Sequence, residues 1–306
     1  MTGTKLRRAR RLSDRVRVGV CAPAGPVENE TLDAGLAWLD ACGFEVRCSD
    51  HLRHRSGFLA GEDSQRLADL ASLVDDPEVA VIMAARGGYG ITRILDRIDI
   101  EHFVRERKLL IGYSDATALS LRLFAAGLCS IHGPMLERTD ISSEARERLL
   151  ALASGAPQAL EPLEGKAVAG GRAEGMLGGG NLKLLAASLG TAWEVQTEGA
   201  ILFFEEVAEQ PYAIDRSLQQ LREAGKLRAA RGVAVGALVN CESPRYPEVS
   251  ASDVIRDLLT SEVDGPVVTS FPFGHIADNR ALGVGARAEV DGNNATLRLL
   301  EAVVED

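Results

Sequence analysis

Residues 79–85 read VAVIMAA, a strand-length run with no polar side chain, and this run restricts the fold more than any other feature of the chain. A strand with one face in water alternates apolar and polar residues. An unbroken apolar run belongs to a strand covered on both faces, as in a parallel sheet flanked by helices. The neighbouring segments keep that pattern. RVRVGVCAPAGPV starts with Val16, Val18 and Val20 alternating and breaks at Pro23, Gly25 and Pro26, a strand running into a loop. Leu32, Leu36 and Leu39 then recur at helical spacing, with Asn29 available as a cap and Gly43 placed to close the helix. FEVRC is a second strand, residues 64–73 a second helix, ITRILDRI a short third helix and KLLIGY a fourth strand, after which a helix is expected to start near Ser114. Strand and helix alternating in this way describe a doubly wound parallel sheet, which binds ligands beyond the carboxyl ends of its strands. Two loops lie at such ends: ARGGYG after the third strand and GYSD after the fourth.

Periodicity fades between about residues 134 and 171, where EPLEGKAVAGGRAEG is rich in glycine and polar residues. The expected organisation is an N-terminal domain over 1–150, a linker over 151–170 and a mixed α/β domain over 171–306. In the last, strands AILFFEEV, GVAVGALV and PVVTSFPF are separated by helices near 213–224 and 253–259, and a hairpin turns at DGNN. A net charge of −10 spread along the chain excludes a nucleic-acid footprint. The basic run KLRRARRLSDRVR lacks the apolar core of a secretory signal, and no apolar run reaches the ~18 residues of a membrane span. A cytoplasmic protein with no membrane partner and a solvated basic arm is expected. Cys21, Cys42, Cys48, Cys129 and Cys241 show no metal-ligand spacing and read as reduced, mostly buried thiols; neither a metal nor a cofactor is expected.

Ser114, at the junction of an apolar run and a helical pattern, is either a helix cap or a nucleophile at the tip of a sharp turn. A nucleophilic serine needs a base, an acid to orient it and donors for the oxyanion. At such an elbow the N–H of the next residue, Asp115, points to where negative charge develops, and Gly87 and Gly88 of ARGGYG could supply a second donor. The flanking G-Y-S-D-A only approximates the G-x-S-x-G pattern, because Ala116 stands where a glycine is usual. His51, His54 and His102 lie in charged surroundings and read as surface residues, which leaves His132 in SIHGPM and His275 in FPFGHIADN as possible bases. FFEEV ends an apolar strand with Glu205 and Glu206, which alternation sends to opposite faces, so at most one can orient a base.

Seven stretches, VGVCAPAGPV, AARGGYG, IGYSDATAL, IHGPM, GGNLKLLAASLGT, LFFEEVAEQPYAIDRSL and FPFGHIADN, taken in order across nearly the whole chain, resemble the LD-carboxypeptidases. That family includes the muramoyltetrapeptide carboxypeptidases and the microcin C self-immunity peptidases. The resemblance implies a flavodoxin-like or class I amidotransferase-like N-terminal domain with a parallel sheet, a smaller α/β C-terminal domain and a homodimer. It implies Ser114 as nucleophile, His275 as base and Glu205 as the orienting acid, with Gly88 and Asp115 N–H groups as oxyanion donors. Arg86, beside the glycine loop, is a partner for the free carboxylate that an exopeptidase must bind. The substrate implied is a muropeptide whose terminal D-Ala follows L-Lys or meso-diaminopimelate. A peptidyl-nucleotide substrate of the immunity type and a non-catalytic binding homologue are the alternatives.

Overall fold

The computed structural model describes residues 6–13 and 16–306. The apolar runs of the N-terminal half become β1 (Arg17–Cys21), β2 (Glu45–Cys48), β3 (Val79–Ala84), β4 (Leu109–Ile111) and β5 (Ser130–His132). They alternate with α1 (Asn29–Ala41), α2 (Asp63–Asp75), α3 (Ile100–Glu106) and α4 (Thr117–Ala125), and α5 (Ser143–Ser154) follows. The second half contributes β6 (Leu163–Glu164), β7 (Lys166–Ala169), β8 (Arg172–Asn181), α6 (Leu182–Ala187), β9 (Ile201–Val207), α7 (Pro211–Glu223), β10 (Gly232–Val239), α8 (Ala251–Glu262), β11 (Val267–Thr269), β12 (Leu282–Val284), β13 (Arg287–Asp291) and β14 (Thr296–Leu299).

The first sheet runs β12-β5-β4-β3-β1-β2. Its strands are parallel except β12, which adds antiparallel to β5. Every residue of β3 is buried, as a strand covered on both faces requires. The second sheet runs β6-β14-β13-β8-β9-β10-β11-β7, with a parallel centre from β8 to β11 and antiparallel margins. The result is a mixed α/β fold whose carboxyl strand ends meet between the two sheets. No helix among the described residues is long and apolar enough to cross a membrane.

Several elements differ from the sequence expectations. ITRILDRI forms two 3-10 turns, Ile91–Arg93 and Leu95–Arg97, and the α-helix follows at α3, where Asp99 accepts from the His102 N–H as a cap. α1 begins at Asn29, so Asn29 is its first residue and not its cap, while Gly43 does close it at φ +82°. The stretch read as a linker holds the end of α5 and both β6 and β7; glycine spacing hid these short edge strands. Cys21, Cys129 and Cys241 are buried and Cys42 and Cys48 exposed. The basic arm is not a solvated tail. Lys5, Asp14 and Arg15 lie outside the described residues, but Ala9–Arg10 pair in parallel with Val304–Glu305, with Ala9 and Leu12 buried. Arg8 and Arg11 reach Glu301 and Asp306 at 3.2 and 2.6 Å.

Close backbone approach locks the two sheets together. A Cβ on Gly180 at the end of β8 would stand 2.4 Å from the Thr117 methyl and 2.5 Å from its hydroxyl, and the next N–H, that of Asn181, donates to that hydroxyl at 3.0 Å. Gly180→Ala is therefore expected to lower the unfolding free energy by about 1–3 kcal/mol through overpacking, measured as a reduced urea midpoint at unchanged slope.

Candidate active site

The turn after β4 is forced by its residues. Gly112 has no room for a side chain, because a Cβ there would lie 2.8 Å from that of Ala116. Tyr113 is extended, and Ser114 then takes φ +58°, a left-handed conformation that costs an L-residue about 1 kcal/mol or more. A 3-10 turn over Ser114–Ala116 leads into α4, and neither element has a side-chain cap. The strained serine is thus a presented residue and not a cap.

The glycine loop lies directly on it. A Cβ at Gly87 would stand 2.8 Å from the Ser114 Cβ and 2.9 Å from its Oγ, so only glycine lets the backbone come this close. The Gly87 N–H donates to Glu137 Oε2 at 3.2 Å. Gly88, at φ +99°, is exposed, and none of the described residues accepts from its N–H. Asp115 fixes the far end of the loop, its Oδ2 accepting from the Ile91 N–H at 2.8 Å. Burial pushes that carboxyl up to about 6. The buried Arg66 donates to the Gly90 carbonyl at 2.9 Å.

β9 delivers two carboxylates to opposite sides. Glu206 is fully engaged: it accepts from Asn181 Nδ2 at 2.8 Å, the Lys183 N–H at 2.9 Å and the Val207 N–H at 2.8 Å, a tie to the start of α6. Glu205 is wholly buried and meets His275 Nδ1 at 2.6 Å through Oε2. A Cβ on Gly274 would fall 2.9 Å from both Cβ and Oε2 of Glu205, so glycine at φ +114° is what lets the His275 loop rest on the carboxylate. Asn279 Oδ1 secures the turn by accepting from the Gly274 N–H at 2.9 Å. The His275 ring packs on Tyr113, the residue before Ser114, at 4.7 Å between centroids. Burial pulls the imidazole down, but the hydrogen bond and charge of Glu205, with Glu137 and Glu206, outweigh it and leave His275 above its ordinary value. His132 differs. It is buried between Tyr113 and Phe203, its Nε2 has no hydrogen-bond partner among the described residues, and burial pushes it down to about 4. His51 and His102 pair with Asp69 and Asp75 away from this cluster, each at 2.7 Å, and His54 is exposed.

A serine held left-handed under a glycine loop, next to a tyrosine that packs on a carboxylate-bound histidine, is an arrangement whose parts come from both halves of the chain. Residues 18–133 match the LD-carboxypeptidase N-terminal domain and residues 174–290 the LD-carboxypeptidase C-terminal domain. This chain belongs to the LD-carboxypeptidase family. It is 37% identical over 94% of its length to the probable murein peptide carboxypeptidase of Bacillus subtilis, covering 92% of that protein. It is 33% identical over 90% of its length to the murein tetrapeptide carboxypeptidase of Pseudomonas aeruginosa, covering 94% of that protein. The crystal structure of muramoyltetrapeptide carboxypeptidase from Oxalobacter formigenes superposes with a TM-score of 0.82 at 29% identity, covering 93% of this chain and 98% of that one. The microcin C7 self-immunity protein in complex with aspartyl sulfamoyl adenosine gives 0.88 at 20% identity over 98% and 100% of the two chains, a likeness of fold alone. Family membership makes the protein a serine carboxypeptidase, a hydrolase with the two-domain architecture of its relatives.

In this LD-carboxypeptidase, Arg86 stands at the rim of a cleft of about 500 Å³ that it lines with Arg55, Phe58, Gly88 and Tyr89. Its Nη1 donates to the Pro26 carbonyl at 2.6 Å, and its Nε lies 3.9 Å from Glu137. Glu137, Arg138 and Asn279 escape a sequence reading because each sits in an irregular loop with no periodic signal. Arg138 grips the histidine loop, donating from Nη1 to the His275 carbonyl at 3.0 Å while its other nitrogens fork onto Asp140. Among the described residues no cluster of His, Cys, Asp and Glu is placed to hold a metal ion.

Three outcomes follow for the carboxypeptidase. His275 is expected to titrate above the ordinary ~6.5, and Glu205→Gln to bring it down, because burial then acts with one fewer carboxylate to oppose it; an NMR titration of the ring reads both. Ser114→Gly is expected to raise the unfolding free energy by roughly 1 kcal/mol, since glycine carries no Cβ penalty at positive φ, checked by urea denaturation.

Proposed function

We propose that this carboxypeptidase removes the C-terminal D-Ala from muropeptide tetrapeptides, hydrolysing the bond that follows L-Lys or meso-diaminopimelate, in the cytoplasmic recycling of the cell wall. The observation that carries this reading is the left-handed Ser114 under the glycine loop, joined to the Glu205–His275 pair through the packing of the His275 ring on Tyr113. In the mechanism, Ser114 Oγ attacks the scissile carbonyl as His275 Nε2 takes its proton. Glu205, bonded to Nδ1–H, fixes the tautomer and stabilises the imidazolium that forms. The N–H groups of Gly88 and Asp115 receive the oxyanion. Collapse transfers the proton from His275 to the departing D-Ala amine and leaves an acyl-enzyme on Ser114. Water, deprotonated by His275, then attacks the acyl carbon and frees the tripeptide. Arg86 keeps N–H groups for the terminal carboxylate of the substrate, which suits its place at the cleft rim.

The names of relatives at 37% and 33% identity support this substrate class. The order β2-β1-β3-β4-β5 supports reading the first sheet as flavodoxin-like. On the same reading Ser114 belongs to an N-terminal domain and Glu205 and His275 to a C-terminal one.

Incubation with L-Ala-γ-D-Glu-meso-diaminopimelyl-D-Ala is expected to release free D-Ala, read by mass spectrometry. Ser114→Ala is expected to lower kcat by roughly four to six orders of magnitude with an intact fold. Cleavage of a peptidyl-nucleotide conjugate with no release of D-Ala would favour an immunity-type activity instead.

A further inference from the structure

The loop after β5 reaches both halves of the site with two successive residues. Its backbone is anchored by the buried Met135 and Leu136; a Cβ on Gly35 of α1 would stand 2.8 Å from that of Leu136. From that anchor Glu137 extends to the glycine loop and Arg138 to the carbonyl of His275. The Glu137 side chain is only 16% exposed. A carboxylate this close to a site where an oxyanion forms opposes the reaction by charge, so its presence calls for a compensating duty.

The two glycines of the loop show what that duty is. Gly87 lies against Ser114 and Gly88 follows it in the chain, and their N–H groups are the donors nearest the serine along the loop. Gly87 is buried with its N–H on Glu137 Oε2 at 3.2 Å, while Gly88 is exposed and its N–H has no acceptor among the described residues. We propose that Glu137 is a positioning residue: by taking the Gly87 N–H it sets the loop so that Gly88 alone presents its N–H to the oxyanion, while Arg86 and Arg138 offset its charge. The proposal rests on the reading of Ser114 as nucleophile and Gly88 as donor. Arg86, with Nε at 3.9 Å, thereby has a second duty beside the substrate carboxylate.

Glu137 also acts on the base. The titratable and charged groups whose contact or charge reaches His275 are Glu205 and, from the opposite side of β9, Glu206, with Glu137 and Arg138 on the loop after β5, His132 on β5 and Tyr113 at the elbow. Glu137 is one of the carboxylates whose charge favours the imidazolium. Removing that charge lowers the pH at which His275 loses its proton, so activity persists to lower pH.

The test compares full-length wild type, Glu137→Gln and Glu137→Ala by two readouts across pH: the rate at which a fluorophosphonate labels Ser114, and kcat and KM on the tetrapeptide. Glu137→Ala is expected to slow labelling and kcat roughly 10- to 100-fold, as a misplaced oxyanion donor does, with KM changed less than about threefold. Glu137→Gln keeps an amide oxygen for the Gly87 N–H and is expected to recover most of the rate. In both variants the acid limb of the labelling profile moves to lower pH. Glu137→Ala at the wild-type rate with an unmoved acid limb would overturn the proposal. Should Glu137→Ala not fold, a folded Glu137→Gln with an unmoved acid limb overturns it equally. If wild type is labelled but releases no D-Ala, the substrate assignment fails while the labelling rates still decide the role of Glu137. If wild type is not labelled at Ser114, it is the nucleophile reading that fails.

Discussion

A carboxylate with no exposure to water is stable only if its charge is met, and Glu205 is met by one histidine. That contact, 2.6 Å from Oε2 to Nδ1, sets the demands on everything near it. Gly274 must be glycine because any side chain would strike Glu205, Asn279 must hold the Gly274 N–H, and Arg138 must hold the His275 carbonyl. The strand bearing Glu205 must also be central. β9 lies between β8 and β10, paired on both edges and buried along almost its whole length, so the carboxylate cannot turn away to reach solvent.

The strained serine is supported in the same way. A left-handed residue persists when its surroundings leave no alternative. Here Gly87 presses on Ser114 from one side, Asp115 ties the turn to Ile91, and Thr117 one turn on holds the end of β8. The site is therefore assembled from contacts that cross between the sheets. Its precision depends on the fit of both sheets more than on either alone.

Much of this was legible in the chain, and the failures share a cause. Wherever a residue sits in a periodic element, its pattern spoke: VAVIMAA announced a strand covered on both faces, and FFEEV sent Glu205 and Glu206 to opposite sides, where one meets His275 and the other binds the start of α6. Residue pattern alone did not separate His132 from His275, because both end apolar runs; what separates them is burial among aromatic rings against contact with a carboxylate, and neither quantity has a sequence period. Glu137 and Arg138 carried no signal because irregular loops are placed by tertiary contacts. The edge strands β6 and β7 were masked by glycines, and the basic arm by its charge, since a two-residue pairing with Val304 and Glu305 involves partners nearly the whole chain apart.

That last pairing, and β12 with it, bears on how the molecule comes into being. Ser114, the glycine loop and β1 to β5 are all made before the residues that complete them: the edge of β5 is covered by residues 282–284, and the arm at residues 9–10 is paired by residues 304–305. On the ribosome the nascent first sheet carries an open edge, a surface that invites pairing with other chains. The same delay separates the elbow that carries Ser114 from the Glu205–His275 pair, so on the proposed mechanism the hydrolase stays inert until late in translation.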